Sequence, residues 1–197
     1  MADVRELPGD RTVRGALDGG DADAAVVACP PHPQYGGSRR DAKLRAVAAA
    51  LQAAGLDCLR IDYGPWDEGV GEAEDVHNAL DWAHERYGAV GLFGYSFGAG
   101  IALRVAAGRA DLCAVSVLAP PATSGGEDVP AVLENLSAPL QVVVGERDTT
   151  VDWARVRDRA RELGHATESI PGDHFFVGQT DQVATAASTF LAGHCGG

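Results

Sequence analysis

The chain has 197 residues, a hydrophobic fraction of 46% and a formal net charge of -12. That length suits one domain with a full core, residues 1–197, and no apolar run approaches the ~18 to 20 residues of a membrane span. So acidic a surface argues against nucleic acid and anionic membranes as partners, leaving a small molecule as the expected one, bound by a monomer or homodimer.

Fifteen of the 16 basic residues are Arg, and Lys43 is the only Lys. An acidic, Lys-poor surface suits high salt, and GC-rich coding leaves the same Arg and Ala bias. Met1 to Gly20 is charged and polar, without the basic start and apolar centre of a secretory signal, which points to an intracellular, cytoplasmic protein. The cysteines read the same way. Cys29, Cys58 and Cys113 each lie in an apolar strand-like run, where a reduced thiol behaves as a small buried hydrophobe, and Cys195 falls in the terminal tail. No cysteine pair has metal-ligand spacing, and no metal or other cofactor is expected.

In chain order, Arg11 to Leu17 reads as a short lead strand before the turn Asp18-Gly19-Gly20-Asp21. Ala24 to Cys29 is a continuous apolar run, as in a strand buried on both faces of a parallel sheet. It ends at Pro30, and Pro31 to Gly37 is a loop by composition. Ser38, with Asp41 three residues on, is a capping-box-like helix start; Leu44, Val47, Ala48 and Leu51 follow at helical spacing, and Gly55 stops the helix. Cys58 to Tyr63 is a second strand, and Trp66 to Glu74 a Gly-rich, acidic loop. Val76, Ala79, Leu80, Ala83 and Tyr87 stripe the next helix. His77, Asp81 and His84 share one face of it, which reads as solvated rather than metal-binding because no further ligand cluster is visible.

Ala89 to Gly108 carries the sharpest signal. An apolar strand-like run stops at Gly94-Tyr95-Ser96-Phe97-Gly98, and a helical pattern follows. A Ser hydroxyl is a weak nucleophile that needs a base beside it and a backbone that lifts Oγ clear. Glycines two before and two after the Ser allow a turn too sharp for a Cβ, so G-x-S-x-G between strand and helix reads as a nucleophile elbow. A dinucleotide fingerprint fits poorly, because G-x-G-x-x-G begun at Gly98 meets Leu103 where Gly is required.

Cys113 to Ala119 is another buried strand, and Ala122 to Pro139 is too short for a capping domain. Leu140 to Val144 is a strand with Gly145-Glu146-Arg147-Asp148 at its carboxyl end. Trp153, Val156, Ala160 and Leu163 stripe a helix. Thr167 to Ile170 is the last strand, Pro171-Gly172-Asp173-His174 the loop after it, and Val183, Ala187, Phe190 and Leu191 stripe the final helix. This alternation predicts an α/β fold, a doubly wound, mostly parallel sheet of about seven strands with its sites at the strands' carboxyl ends.

Ser96, Asp148 and His174 thus fall at the ends of three strands, in the order Ser, acid, His. His174 is the candidate general base and Asp148 the group that holds its imidazole. Asp152 reads as a helix cap, and Asp173 cannot easily curl back onto the His174 ring. One oxyanion donor is expected from the N–H of Phe97. The second is expected from the loop after the first buried strand, where Pro33 lacks an N–H and leaves Gln34 or Tyr35, Gln34 favoured. His32 reads as a loop anchor whose ring bonds backbone.

The chain resembles the small, uncapped α/β-hydrolases of the dienelactone-hydrolase-like group over nearly its whole length. The resemblance rests on Pro31 to Ser38, Leu59 to Tyr63, Glu68 to Glu72, the elbow with Gly98-Ala99-Gly100, Gly145 to Asp148, and Gly172 to Phe176. It implies an α/β-hydrolase fold with no cap and a Ser-Asp-His triad at Ser96, Asp148 and His174. Two departures stand out. The family's Phe-Arg-Gly-Xaa-Gly-Xaa-Ser stretch after the second strand is cut to Gly64-Pro65-Trp66, and dienelactone hydrolase itself uses Cys where Ser96 stands. The expectation is a serine hydrolase of small carboxylic esters or thioesters; the alternatives are a peptidase or amidase with the same triad, and a non-catalytic interaction protein.

Overall fold

A computed structural model describes residues 3–196. Its main sheet has eight strands: β1 (Asp3–Leu7), β2 (Val13–Asp18), β3 (Ala24–Cys29), β4 (Asp57–Asp62), β5 (Ala89–Tyr95), β6 (Leu112–Leu118), β9 (Leu140–Gly145) and β10 (Ala166–Ile170). Their spatial order is β1-β2-β4-β3-β5-β6-β9-β10, and β7 (Thr123–Ser124) pairs with β8 (Glu127–Asp128) in a separate two-stranded hairpin. β1 and β2 run antiparallel to their neighbours, and every pair from β4 to β10 is parallel.

Helices cover both faces, as a parallel sheet with apolar strands requires. On one face Leu44, Val47 and Leu51 of α1 (Ala42–Ala53) pack with Val183, Ala187 and Leu191 of α6 (Thr180–Cys195) over Val26, Phe93 and Val143. On the other, α2 (Val70–His84), α3 (Phe97–Ala107) and α5 (Ala154–Glu162) bring Leu80, Ile101, Leu103 and Val156 against Val27, Leu92, Val117 and Val142. Between β6 and β9 lie only the small hairpin, the one-turn helix α4 (Val129–Val132) and a 3-10 turn at Leu133–Asn135.

The strand order reverses between β3 and β5, whose ends are in register at Cys29 and Gly94. Such a switch point opens a crevice beyond the strands' carboxyl ends. β9 and β10 finish level there too, with Ile170 beside Gly145.

The eight-stranded, mostly parallel sheet agrees with the expected sheet of about seven strands; the additional one, β1, has exposed Val4 and Glu6 and gives no apolar run in the sequence. Four expectations are corrected. The lead strand spans Val13–Asp18 rather than starting at Arg11, whose side chain instead pairs with buried Asp75 at 2.7 Å. Asp41, not Ser38, caps α1, its carboxylate accepting from the N–H groups of Lys43 at 2.8 Å and Leu44 at 3.3 Å. α2 begins at Val70, inside the expected loop, because the fully buried Glu72 carboxylate accepts from Asp67 N–H at 2.9 Å and Gly69 N–H at 2.8 Å and so closes the turn that starts the helix. Cys113 is not a free thiol, nor is Cys195 in a loose tail: Cys195 ends α6 and forms a disulfide with Cys113, Cα to Cα 5.2 Å. That bridged pair gives no support to a reducing compartment. Cys29 and Cys58 are free and buried, as expected.

Candidate active site

Ser96 sits at φ 56, ψ -118, between the end of β5 and the start of α3. A non-glycine residue held there is strained, and such strain gathers at functional sites. The flanking glycines are required by contact. A Cβ on Gly94 would lie 2.4 Å from Gly98 O, and one on Gly98 would lie 2.4 Å from Pro30 O. Ser96 N–H donates to Leu118 O at 2.8 Å, fastening the turn to β6.

Ser96 Oγ lies 2.8 Å from His174 Nε2. His174 Nδ1 lies 2.7 Å from Asp148 Oδ2, and both side chains are buried. With Nδ1 facing a carboxylate, the neutral ring carries its proton there and presents Nε2 as acceptor to the Ser96 hydroxyl. The acid is itself positioned. Asp148 Oδ1 accepts from Thr150 N–H at 2.8 Å, and Asp148 O accepts from Trp153 Nε1 at 2.9 Å. His174 is held from below, its carbonyl accepting from the Tyr95 hydroxyl at 2.9 Å. Burial, with Asp41, Asp148 and Asp173 nearby, raises the Tyr95 pKa, so that the hydroxyl stays a donor.

The other two acids lie elsewhere. Asp152 is exposed, and it does not cap α5, whose first flanking residue is Trp153. Asp173 Oδ1 turns back to the N–H of Phe175 at 3.0 Å. On α2, Asp81 pairs with Arg109 at 2.7 Å and His84 lies 3.2 Å from Asp111; among the described residues no His, Cys, Asp and Glu group could hold a metal ion.

In the loop after β3 both expected oxyanion donors are engaged within the loop. Gln34 N–H donates to His32 Nδ1 at 3.3 Å, and Tyr35 N–H to His32 O at 3.1 Å, closing a 3-10 turn at Pro33–Tyr35. Neither N–H is left to face a substrate. His32 is the anchor its position predicts, its ring 4.6 Å from that of Trp66 and 4.8 Å from that of Phe97, centre to centre. Burial lowers its pKa, against a smaller opposing pull from Glu72, which keeps Nδ1 an acceptor. Among the described residues the backbone N–H of His32 has no hydrogen-bond partner. Nothing in the sequence marks it, because a backbone N–H is common to every non-proline residue of the loop.

These groups line a cleft of about 580 Å³ that includes Pro31, His32, Tyr35, Lys43, Ser96, Phe97, His174 and Phe175. Tyr35 and Phe175 stand exposed at its mouth. A second hollow of about 650 Å³, between β10 and α6, contains none of these residues. Among the described residues no helix is long and apolar enough to cross a membrane.

No family model matches the chain. An uncharacterised protein of Rickettsia prowazekii is 26% identical over 179 residues, spanning 82% of this chain and 75% of its own. Among solved structures, dienelactone hydrolase from Anabaena variabilis superposes with a TM-score of 0.82 at 26% identity, covering 99% of this chain and 98% of that one. A serine hydrolase without lid from Xanthomonas campestris gives a TM-score of 0.83 at 24% identity, covering 100% and 96% of the two chains.

Proposed function

From the premise that this chain has the α/β-hydrolase fold without a cap, in the likeness of the dienelactone-hydrolase-like group, we propose that it is a serine hydrolase of small carboxylic esters or thioesters. The observation that carries this reading is the continuous Ser96–His174–Asp148 relay, with contacts of 2.8 and 2.7 Å, placed on three separate strand ends. Folding alone requires no such arrangement.

In the proposed reaction Ser96 Oγ attacks the ester carbonyl as His174 Nε2 takes its proton, and Asp148 stabilises the imidazolium. The carbonyl π bond opens onto oxygen, and the oxyanion accepts from the N–H groups of Phe97 and His32. Collapse breaks the bond to the leaving alkoxide or thiolate, which takes the proton from His174. Water, deprotonated by the same nitrogen, then attacks the acyl-enzyme, and the acid departs as Ser96 recovers its proton. The open cleft suits short acyl groups.

A series of p-nitrophenyl esters of rising chain length, with a p-nitroanilide control, tests the reading. Turnover falling beyond short chains, with the anilide inert, is expected. Anilide cleavage at rates like the esters would replace it with the amidase alternative.

A further inference from the structure

The loop between β4 and α2 is held by two carboxylates that the proposed reaction does not use. Glu72 and Asp75, both on α2, have no exposed surface. Asp75 accepts from Gly64 N–H at 2.8 Å and pairs with Arg11, whose guanidinium also donates to Pro65 O. Glu72 accepts from the N–H groups of Asp67 and Gly69. A buried carboxylate is costly unless it is paired or hydrogen-bonded, and here the compensating bonds fix the backbone on both sides of Trp66.

Trp66 is the only aromatic among residues 64–69. Its ring centre lies 4.6 Å from that of His32 and 5.5 Å from that of Phe97, and the rings of His32 and Phe97 are 4.8 Å apart. The three rings close a triangle. Tyr63 meets Phe97 edge-on at 5.7 Å, and its hydroxyl donates to Pro30 O at 3.2 Å. His32 and Phe97 carry the two N–H groups assigned to the oxyanion, and they come from different elements, the loop after β3 and the start of α3. The elbow fixes Phe97 through the bond from Ser96 N–H to Leu118 O, whereas the bonds of the turn that carries His32 close within that turn. Ring contacts are what tie His32 to Phe97. Both residues line the cleft, and among the described residues that do so Trp66 is not included.

Resting on the serine-hydrolase reading above, we propose that Trp66 is a positioning residue: its indole braces the His32 ring against Phe97 and so holds His32 N–H where the oxyanion forms. A donor displaced by about 1 Å loses much of its effect on the transition state. The oxyanion is absent from the bound ground state, so the loss falls on kcat rather than on KM. Trp66 belongs to Gly64-Pro65-Trp66, the stretch in which this chain departs from the group it resembles.

Hydrolysis of 4-nitrophenyl acetate tests the inference. Trp66→Ala is expected to lower kcat and kcat/KM together by about 5-fold or more. Trp66→Phe, which keeps a ring in place, is expected to recover most of that loss, and Trp66→Leu to recover little. In His32→Pro the N–H is already deleted, so adding Trp66→Ala there is expected to cost less than about 2-fold. Equal losses in the two backgrounds, a change confined to KM, or an unchanged kcat overturns the inference. Where circular dichroism shows Trp66→Ala unfolded, the Phe and Leu variants carry the comparison, and equal kcat in those two overturns it. Each of these results leaves the hydrolase reading standing as long as the wild type cleaves the ester and takes a fluorophosphonate label. A wild type that does neither removes both.

Discussion

His32 Nδ1 accepts a hydrogen bond from the backbone N–H of Gln34 at 3.3 Å. The contact occupies the loop's favoured oxyanion donor and leaves the His32 N–H as the proposed one. His32 has φ -56, within the range of proline, so a substitution that deletes the N–H fits the local backbone. His32→Ala removes the ring and keeps the N–H. His32→Pro is expected to be at least ~100-fold slower than His32→Ala, the effect of losing one oxyanion donor, whereas Gln34→Pro should cost far less. Equal rates for the two His32 variants, with both folded by circular dichroism, would remove His32 N–H from the mechanism.

The acids separate in the same assay. Asp148→Asn is expected to lower turnover ~10⁴-fold, because His174 then meets an amide in place of the carboxylate that orients it. Asp152→Asn touches an exposed residue and Asp173→Asn weakens one loop contact, so both should keep most of the activity. A crippled Asp152→Asn would show that the acid is misassigned.

His32 also ties the loop to pH. Its pKa is lowered by burial, so the folded state prefers the neutral ring. The corresponding stability is fully present above the ordinary histidine value and is lost as pH falls through the lowered folded value. Protonation also removes the acceptor for Gln34 N–H and puts a cation against the Trp66 ring. Tryptophan fluorescence should therefore titrate with a midpoint below ~6.5, and the transition should vanish in His32→Gln. A transition that persists there belongs to another group.

The disulfide closes a separation of 82 residues between β6 and the end of α6. On the chain-entropy model it stabilises by about 4.5 kcal/mol, so Cys195→Ser or full reduction should lower Tm by about 9 to 18 °C. Thiol titration of the unfolded oxidised protein should find only the two free cysteines, Cys29 and Cys58. Four reactive thiols, with no change of Tm on reduction, would show that the bridge does not form.

What the sequence made legible follows from how local the physics is. The elbow was readable because Gly94, Ser96 and Gly98 stand within five residues, although Gly94 is demanded by a contact inside the turn and Gly98 by the backbone of Pro30, and the order Ser, acid, His follows once alternating strands are placed. β1 is an edge strand with no continuous apolar run, so it looks like a polar lead segment. The Cys113–Cys195 pairing depends on where α6 ends against β6, which spacing does not fix. The oxyanion loop turns on one ring accepting from a backbone N–H two residues ahead. Composition indicated a loop there and no more. Glu72, read as part of an acidic loop, is a buried acceptor whose role appears only when α2 docks.

The central claim is that Ser96 is an activated nucleophile, and intact-mass spectrometry of the fluorophosphonate-treated protein tests it most directly. One adduct per chain is expected, localised to Ser96 by peptide mapping, absent in Ser96→Ala, and slowed by orders of magnitude in His174→Ala. A folded wild type that takes no label, or that is labelled equally fast without His174, would contradict it.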